Sequence, residues 1–436
     1  MSNFAQIWDC LVDDHVGIIR RVEEIPSPAG SPSLFYYFAK ACDTSAFCQQ
    51  KNSSNGGGAS RSREVALAKS VGEAVERYCS AIFDREVFHL TSFDAAPFPC
   101  VPPSEFALYT ADQYSRPKFP FVPFESSTLV RWAPCKDSKT RQQVYVPAVM
   151  IHLPYHFQRE KGELPIVQGI STGLACHGTY AEAAISAICE VIERDAFMIT
   201  WQARLSPPQI RVESISELNQ DLIDRIQKPW CQVTLFNITL EIGVPTILAV
   251  VQNTLPDAPA LIFAAATHPD PGKALQKCLE EVAYTGLLAQ HLKRDMSPIS
   301  VEKDYSAVID QDCHVRLYGE HSNDHLANFI FESENKIEFS EIMSLSTGEP
   351  ERDLEILIHH VHSINHRVLI ANITSPDVAE LGLWVLRAVI PGFHPLFMGH
   401  QIRALGGSRL WEIPQKLGYK GLDKEVGDNP APHPYP

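Results

Sequence analysis

The chain has 436 residues, with 52 Asp and Glu against 37 Lys and Arg, a formal net charge of −15 and 45% hydrophobic residues. That is enough apolar material for a sizeable core, in two or three domains or one large α/β unit with additions. The acidic surplus argues against a protein that coats nucleic acid or an anionic membrane, yet leaves room for a phosphate ligand bridged by a metal ion. Proline outnumbers glycine by 32 to 23, and Pro430, Pro432, Pro434 and Pro436 crowd the last seven residues. Met1 to Asp14 lacks the basic start of a secretory signal, and no apolar run approaches the ~20 residues that span a bilayer. The 11 cysteines are odd in number and contain no CxxC pair, so they read as reduced thiols of a cytoplasmic protein.

In chain order, residues 1–50 predict a short helix or strand, a second apolar stretch after Gly17, a Pro-rich turn, and a strand at 34–38. The polar, glycine-rich run 50–62 reads as a flexible loop. A long helix is expected from Glu64 to about Phe83. Residues 93–124 are dense in proline and aromatics, too irregular for an element and too apolar for a linker. Strands are expected at 129–133, 144–149 and 246–251. Long helices are expected at 180–201 and about 273–293. Residues 296–350 resist assignment. A helix at 352–365, a strand at 367–373, the segment 385–391, a Gly-rich turn and the proline tail close the chain. Helices and strands mix without a βαβ rhythm, which makes the class α+β.

The informative feature is an internal echo. Glu73-Ala74-Val75-Glu76-Arg77 and Glu190-Val191-Ile192-Glu193-Arg194 share the pattern ExxER, 117 positions apart. At 100° per residue, Glu73, Glu76 and Arg77 fall within about 100° of arc, with Lys69 inside it. Glu182, Ser186, Glu190 and Glu193 fall within about 80° on the second helix. The other faces are Ala, Ile, Val, Cys and Met, so both helices are expected to be buried. A solvated Glu–Arg i,i+4 pair explains one such helix, but not three carboxylates on one narrow stripe. Five glutamates on two buried helices suit hard cations of the Mg²⁺ type, which in turn suit a polyphosphate whose charge Arg77 and Arg194 also meet. No Walker A, GxGxxG or kinase signature is present. Gly56-Gly57-Gly58 wraps phosphate in one reading and is a floppy loop in the other.

Weaker constellations read as background. His359, His360, His362 and His366 are expected on a solvated surface rather than around a metal. Cys176, His177 and Asp195 invite a thiol-protease reading, which the adjacency of Cys176 and His177 disfavours. Arg403 and Arg409 flank the Gly-rich turn and read either as peptide ligands or as solvated residues. Asp377 and Arg387 receive no role.

The two helices and their surroundings resemble the YcaO family. The resemblance rests on GEAVERYC (72–79), STGLACHGTYAEAAISAICEVIERDAFMITW (171–201), RAVIPGFHPLFMGHQIRALGG (387–407) and NPAPHPYP (429–436). It implies a YcaO-type fold over residues 1–436 as one catalytic unit, with an N-terminal segment (1–55), an ATP- and Mg²⁺-binding core (56–300) and a C-terminal part (301–436). It also implies a Mg²⁺-dependent ATP site, with Glu73, Glu76, Glu182, Glu190, Glu193 and Arg194 matching the metal and nucleotide ligands, and Arg77 secondary. Where relatives carry Gly-Lys-Gly, this chain has Gly58-Ala59-Ser60, so Lys69 or Ser70 is expected to take over at the phosphates. The helix around Glu280-Glu281 is looser than in relatives.

The PxPxP ending resembles members that form azoline rings in ribosomally made peptides. Alternating prolines favour an extended rod, which contrasts with the disordered stub common at termini. The resemblance then implies an ATP-dependent cyclodehydratase that converts Cys, Ser or Thr of a precursor peptide to thiazoline or oxazoline, with the Pro436 carboxylate or His433 handling protons. It implies a homodimer within a hetero-oligomeric synthetase, an ocin-ThiF-like partner that captures the leader peptide because this chain leaves no space for one, and a flavin dehydrogenase acting afterwards. The alternatives are a thioamide- or amidine-forming YcaO enzyme and a non-catalytic scaffold subunit.

Overall fold

The computed structural model describes residues 4–27, 30–53, 55–301, 304–423 and 425–436, with side-chain detail from Ile7 onward. Met1 to Asn3 of the expected N-terminal element, and Ser54 of the expected loop, lie outside the described residues. The class is α+β, as expected, with three sheets and four helices of 14 residues or more among the described residues.

The first sheet is antiparallel, β1 (Ile19–Ile25), β2 (Phe35–Ala41) and β3 (Asn55–Ser60) in that order. The second runs β11 (Leu261–Thr267), β10 (Thr246–Asn253), β9 (Cys231–Asn237), β8 (Gln209–Ile210) and β12 (Lys336–Ile337), the last pair parallel. The third runs β4 (His89–Thr91), β5 (Val130–Asp137), β13 (Leu369–Asn372), β14 (Trp384–Val389) and β7 (Leu174–His177), with β6 (Gln143–Pro147) also on β5.

Helix α2 (Arg63–Ala81) covers the first sheet, and α6 (Pro271–Asp295) covers one face of the second. Helix α4 (Tyr180–Gln202) lies between the second and third sheets, against β11 on one side and β7 and β14 on the other. Its sequence suits that place, because 17 of its 23 residues are buried. The edge strand β11 and its neighbour β10 are correspondingly buried on both faces. Leu248, Val250, Phe263 and Ala265 face the cluster around Phe197 and Trp201, and Ile247, Ala249, Ile262 and Ala264 face α6. Helix starts follow their capping chemistry: the side chains of Ser62, Thr179 and Asp270 accept backbone N–H bonds in the first turns of α2, α4 and α6. Among the described residues no helix is long and apolar enough to cross a membrane. All 11 cysteines are free.

The expected loop at 50–62 is corrected. Residues 55–60 form β3, and its glycines mark close packing rather than flexibility. A Cβ on Gly56 would stand 2.3 Å from Ser70 O, and one on Gly58 would stand 2.2 Å from Ala66 O, both on the α2 backbone. The strand rests on the helix with no room for side chains, a second use of glycine that composition alone does not separate from a linker. Residues 296–350 are not structureless: they hold α7 (Gln311–Tyr318), a 3-10 stretch over His321–Phe331, and β12. The last long helix, α8, spans Pro350–Ser363, and the strand expected at 144–149 ends at Pro147 in a 3-10 turn.

Gly56→Ala and Gly58→Ala are each expected to destabilise the fold by about 2–4 kcal/mol, because the new methyl meets backbone that cannot give. Gly72→Ala, in the interior of α2 with open space at its Cβ, should instead stabilise by about 0.5–1 kcal/mol. Urea unfolding midpoints measure both.

Candidate functional site

The middle turns of α2, α4 and α6 converge where β3, β7 and β11 present backbone N–H groups. Gly57 N–H donates to Glu73 Oε2 at 2.7 Å, and Cys176 N–H to Glu76 Oε1 at 2.8 Å. Gly173 N–H donates to Glu190 Oε2 at 2.7 Å, and Thr267 N–H to Glu193 Oε2 at 3.1 Å. The two ExxER arginines each pair within their own helix, Arg77 Nη2 with Glu73 at 3.1 Å and Arg194 Nη2 with Glu190 at 2.7 Å. Arg194 Nη1 also donates to Thr172 Oγ1 at 2.8 Å.

Electrostatics show that these groups form one cluster. Burial pushes Glu76 up to about 8, and the charges of Glu73 and Glu190 push in the same direction, against Arg77 and the Cys176 amide. Burial likewise pushes Glu193 up to about 7, with Glu190 adding to the rise and Tyr435, Arg194 and Lys277 opposing it. Glu281 of α6 is raised by burial and by Glu73, against Lys69, Lys277 and Arg194. Its surface is nevertheless open to water. A side chain both surrounded by protein and wetted lies in a deep cleft.

Of the residues singled out in the sequence, Glu73, Glu76, Glu190, Glu193, Arg77 and Arg194 are brought together. Lys69 stands at the edge of the cleft, its Nζ 2.5 Å from the buried Glu280 Oε2 and 3.2 Å from Ala59 O. Glu182 is exposed near the start of α4, bonded to Thr179 Oγ1 at 2.8 Å. Ser70 is fully buried, and its hydroxyl donates to Leu67 O within α2. His433 is buried with both ring nitrogens engaged: Nε2 donates to Phe397 O and Nδ1 accepts from Tyr435 N–H. Pro436 is half-buried at the end of a tail whose residues 431–435 are all buried.

The structure adds residues that the sequence reading left without a role. Arg387 of β14 is 4% exposed and bonds Met150 O and Ile170 O. Burial lowers it to about 9, with Arg194 and Arg77 adding to the fall and Glu190 opposing it, so it stays charged at neutral pH. Lys277 of α6 lies within electrostatic reach of Glu193 and Glu281. Spacing from Glu281 by four residues was a usable signal for Lys277. Nothing local marked Arg387 or Tyr435, because strand and tail reach the cleft only through the tertiary fold.

Other readings are settled by their partners. Arg403 pairs with Asp428, and Arg409 with the buried Asp195 and with Glu241, so neither is a solvated or peptide-facing guanidinium. Asp195 is thereby committed to Arg409 and to His394 N–H, and burial raises the Cys176 thiol well above its ordinary value. Cys176, His177 and Asp195 therefore form no thiol-protease triad. His360 and His366 are half-buried against Ile242 O and Pro391 O rather than solvated.

The donor set can be tested against an anion and a hard cation. Arg77 Nη1, Arg194 Nε and Arg387 Nη1 are buried without an acceptor. Such N–H groups on a charged side chain are costly to leave unmade, and phosphate oxygens are their natural acceptors. The carboxylates do not close a ready-made cage: among the described residues the one group of three ligating atoms in mutual reach is the exposed Asp13, Asp14 and His15. An oxygen-seeking cation that completes its shell with phosphate and water fits this open arrangement. A cavity of about 110 Å³ adjoins Arg387 and Thr172, with Phe106, Met150, Leu396 and Phe397 among its apolar walls.

A family model described as "YcaO cyclodehydratase, ATP-ad Mg2+-binding" matches residues 57–394. The chain belongs to the YcaO family. A curated relative, an uncharacterized protein of Methanothermobacter thermautotrophicus, is 27% identical over 285 residues, 63% of this chain and 70% of its own length. Among solved structures, a heterocyclase in complex with substrate and cofactor aligns at TM-score 0.79 and 21% identity over 99% of this chain. This YcaO chain spans 56% of that heterocyclase's length. The YcaO protein from Methanopyrus kandleri bound with AMPPCP and Mg²⁺ aligns at TM-score 0.61 and 19% identity over 86% of each chain. The microcin synthetase McbBCD complex of E. coli aligns at TM-score 0.61 and 15% identity, over 94% of this chain and 96% of the other.

The raised value of Glu76 sets the sign of its own contribution to the pH response. From about 4.5 to about 8 the folded, ligand-free chain retains protons on Glu76 that the unfolded chain has released. That contribution is fully present at the acid end of the window and is lost as pH rises through it, while buried histidines such as His152 and His394, lowered by burial, act in the opposite direction below about 6.5. Urea unfolding of the parent and of Glu76→Gln across about pH 5 to 8 isolates it: the stability of the parent minus that of the variant should fall as pH rises.

Proposed function

We propose that this chain is an ATP-dependent cyclodehydratase acting on Cys, Ser or Thr of a ribosomally made precursor peptide. The observation that carries the reading is the set of three acceptor-less guanidinium N–H groups beside amide-anchored glutamates, a site made for a metal-bridged polyphosphate in a YcaO chain. The proline-rich tail, docked with Tyr435 on Glu193, supports the azoline-forming branch named from its PxPxP ending.

In the proposed reaction the substrate thiol or hydroxyl gives up its proton and attacks the carbonyl carbon of the preceding residue. The resulting oxyanion takes the γ-phosphoryl group of ATP, the bond from that phosphorus to ADP breaking as the new O–P bond forms. The amide nitrogen then expels phosphate with its lone pair and loses its proton, leaving the C=N bond of the ring. Phosphorylation makes a poor leaving oxygen a good one. Glu73, Glu76, Glu190 and Glu193 would hold Mg²⁺, with Glu182 at the mouth of the cleft, and the metal supplies charge neutralisation at the phosphates. Arg77, Arg194 and Arg387 orient phosphate oxygens, and Lys69, anchored by Glu280, together with Lys277 adds positive charge along the α6 side. Positioning of this kind is the larger part of phosphoryl-transfer catalysis. With the His433 nitrogens occupied, Pro436 is the better-placed of the two tail residues for proton handling. The partners in this reading are the precursor peptide, a leader-binding protein resembling ocin-ThiF and a later flavin dehydrogenase, with this chain as a homodimer inside the assembly. One structural relative is itself a multi-subunit synthetase.

Glu190→Gln and Arg387→Gln should each lower peptide-dependent ADP release by about 100-fold or more. Glu190→Gln should leave the unfolding midpoint close to the parent, whereas Arg387→Gln gives up its bonds to Met150 O and Ile170 O and should lower it. Mass spectrometry of the peptide should show the loss of one water per modified residue. A product that gains sulfur in place of oxygen would assign the thioamide chemistry instead, and full turnover by both variants would remove the site assignment.

A further inference from the structure

The last residues of the chain form a strap without helix or strand, fixed at three consecutive carbonyls. Trp201 Nε1 donates to Ala431 O at 3.0 Å, the Tyr318 hydroxyl to Pro432 O at 2.5 Å, and His314 Nδ1 to His433 O at 2.6 Å. His433 is held in turn by Phe397 O and carries the Tyr435 amide. These bonds deliver Tyr435, 5% exposed, with its ring 4.5 Å from that of Phe197 and its hydroxyl donating to Glu193 Oε1.

Glu193 is thereby unlike Glu73 and Glu190, and unlike Glu76, which takes the Cys176 N–H on one oxygen. Glu73 and Glu190 each take one backbone N–H and one arginine, and the arginine draws on the negative charge that a cation needs. Glu193 takes the Thr267 N–H on Oε2 and a neutral hydroxyl on Oε1. Two neutral donors on separate oxygens fix the plane and rotation of the carboxylate and bring no counter-charge of their own. That is the arrangement by which hydrogen-bonding partners orient a metal ligand without competing for the metal.

From this geometry we infer that Tyr435 is a positioning residue that holds Glu193 for a divalent cation, so that the cation site is complete only when the C-terminal strap is seated. The inference rests on the proposed Mg²⁺–ATP reading and assigns the tail a role in the metal site separate from any role of its terminal carboxylate.

Tyr435→Phe removes one oxygen and keeps the ring against Phe197. Calorimetric titration of Mg²⁺ into protein saturated with a non-hydrolysable ATP analogue should show affinity lowered by about 10-fold. In turnover the Mg²⁺ requirement should rise by a similar factor while the KM for the peptide and the unfolding midpoint stay at parental values. Deletion of Pro436 alone, which leaves the hydroxyl in place, should retain parental Mg²⁺ affinity. Parental affinity in Tyr435→Phe overturns the inference, and so does an equal loss on deleting Pro436. Glu193→Gln separates the two levels of the argument. Unchanged Mg²⁺ binding in that variant would remove the metal-site reading itself, whereas loss there with none in Tyr435→Phe removes only the role of the tyrosine.

Discussion

Four glutamates from two helices share this cleft because a backbone N–H from elsewhere in the fold holds each of them. Gly57 of β3, Cys176 of β7, Gly173 just before β7 and Thr267 of β11 are the donors. An oriented peptide dipole favours the ionised form and fixes the remaining lone pairs without introducing a mobile counter-charge. Burial and mutual repulsion still drive Glu76 and Glu193 upward, so the cleft stores an unmet demand for positive charge. The acceptor-less guanidinium groups around it store the opposite demand. A metal-bridged polyphosphate answers both at once.

That constraint explains features that look unrelated in the chain. β3 must lie close enough to α2 for an amide to reach Glu73, and where the strand rests on the helix backbone there is room only for glycine, hence Gly56 and Gly58, while Gly57 faces the Tyr284 ring of α6. The amide of Gly173 must point at Glu190 while its carbonyl accepts from Ala388 N–H, which requires φ of +85° and a site where a Cβ would meet Ala388 O at 2.3 Å. Helix α4 must touch β11 and β7 together, so it is buried almost all round, and apart from Tyr180 its residues that are not fully buried are Glu182, Ser186, Glu190, Glu193 and Arg194. The burial of all of β11, and of β10 up to Val251, follows from the same sandwich.

Much of the site was legible because helical geometry is local. ExxER places its carboxylates on one arc whatever the rest of the chain does, and the apolar remainder of both helices announced burial. The errors arose where one composition serves two physical ends. A glycine run is a flexible linker in solvent and a tight strand against a helix, and only the helix decides which. Arg403 and Arg409 look alike beside a Gly-rich turn, yet Asp428 and Asp195 neutralise them from positions 25 and 214 residues away. The prolines of the tail set an extended path, but not what that path touches.

The sequence by itself determined the α+β class, the two polar stripes, the family resemblance and the acidic, hard-ligand character of the site. These depend on residue type and on spacing within single elements. Only the tertiary structure decided which carboxylates meet, that Arg387 from β14 and Lys277 from α6 join them, that Ser70 turns into its own helix, and that Tyr435 closes on Glu193 across 242 residues of chain. Those contacts join segments whose local sequences carry no record of one another, and the energy that brings them together comes from the buried faces of the sheets, not from the polar groups that finally touch.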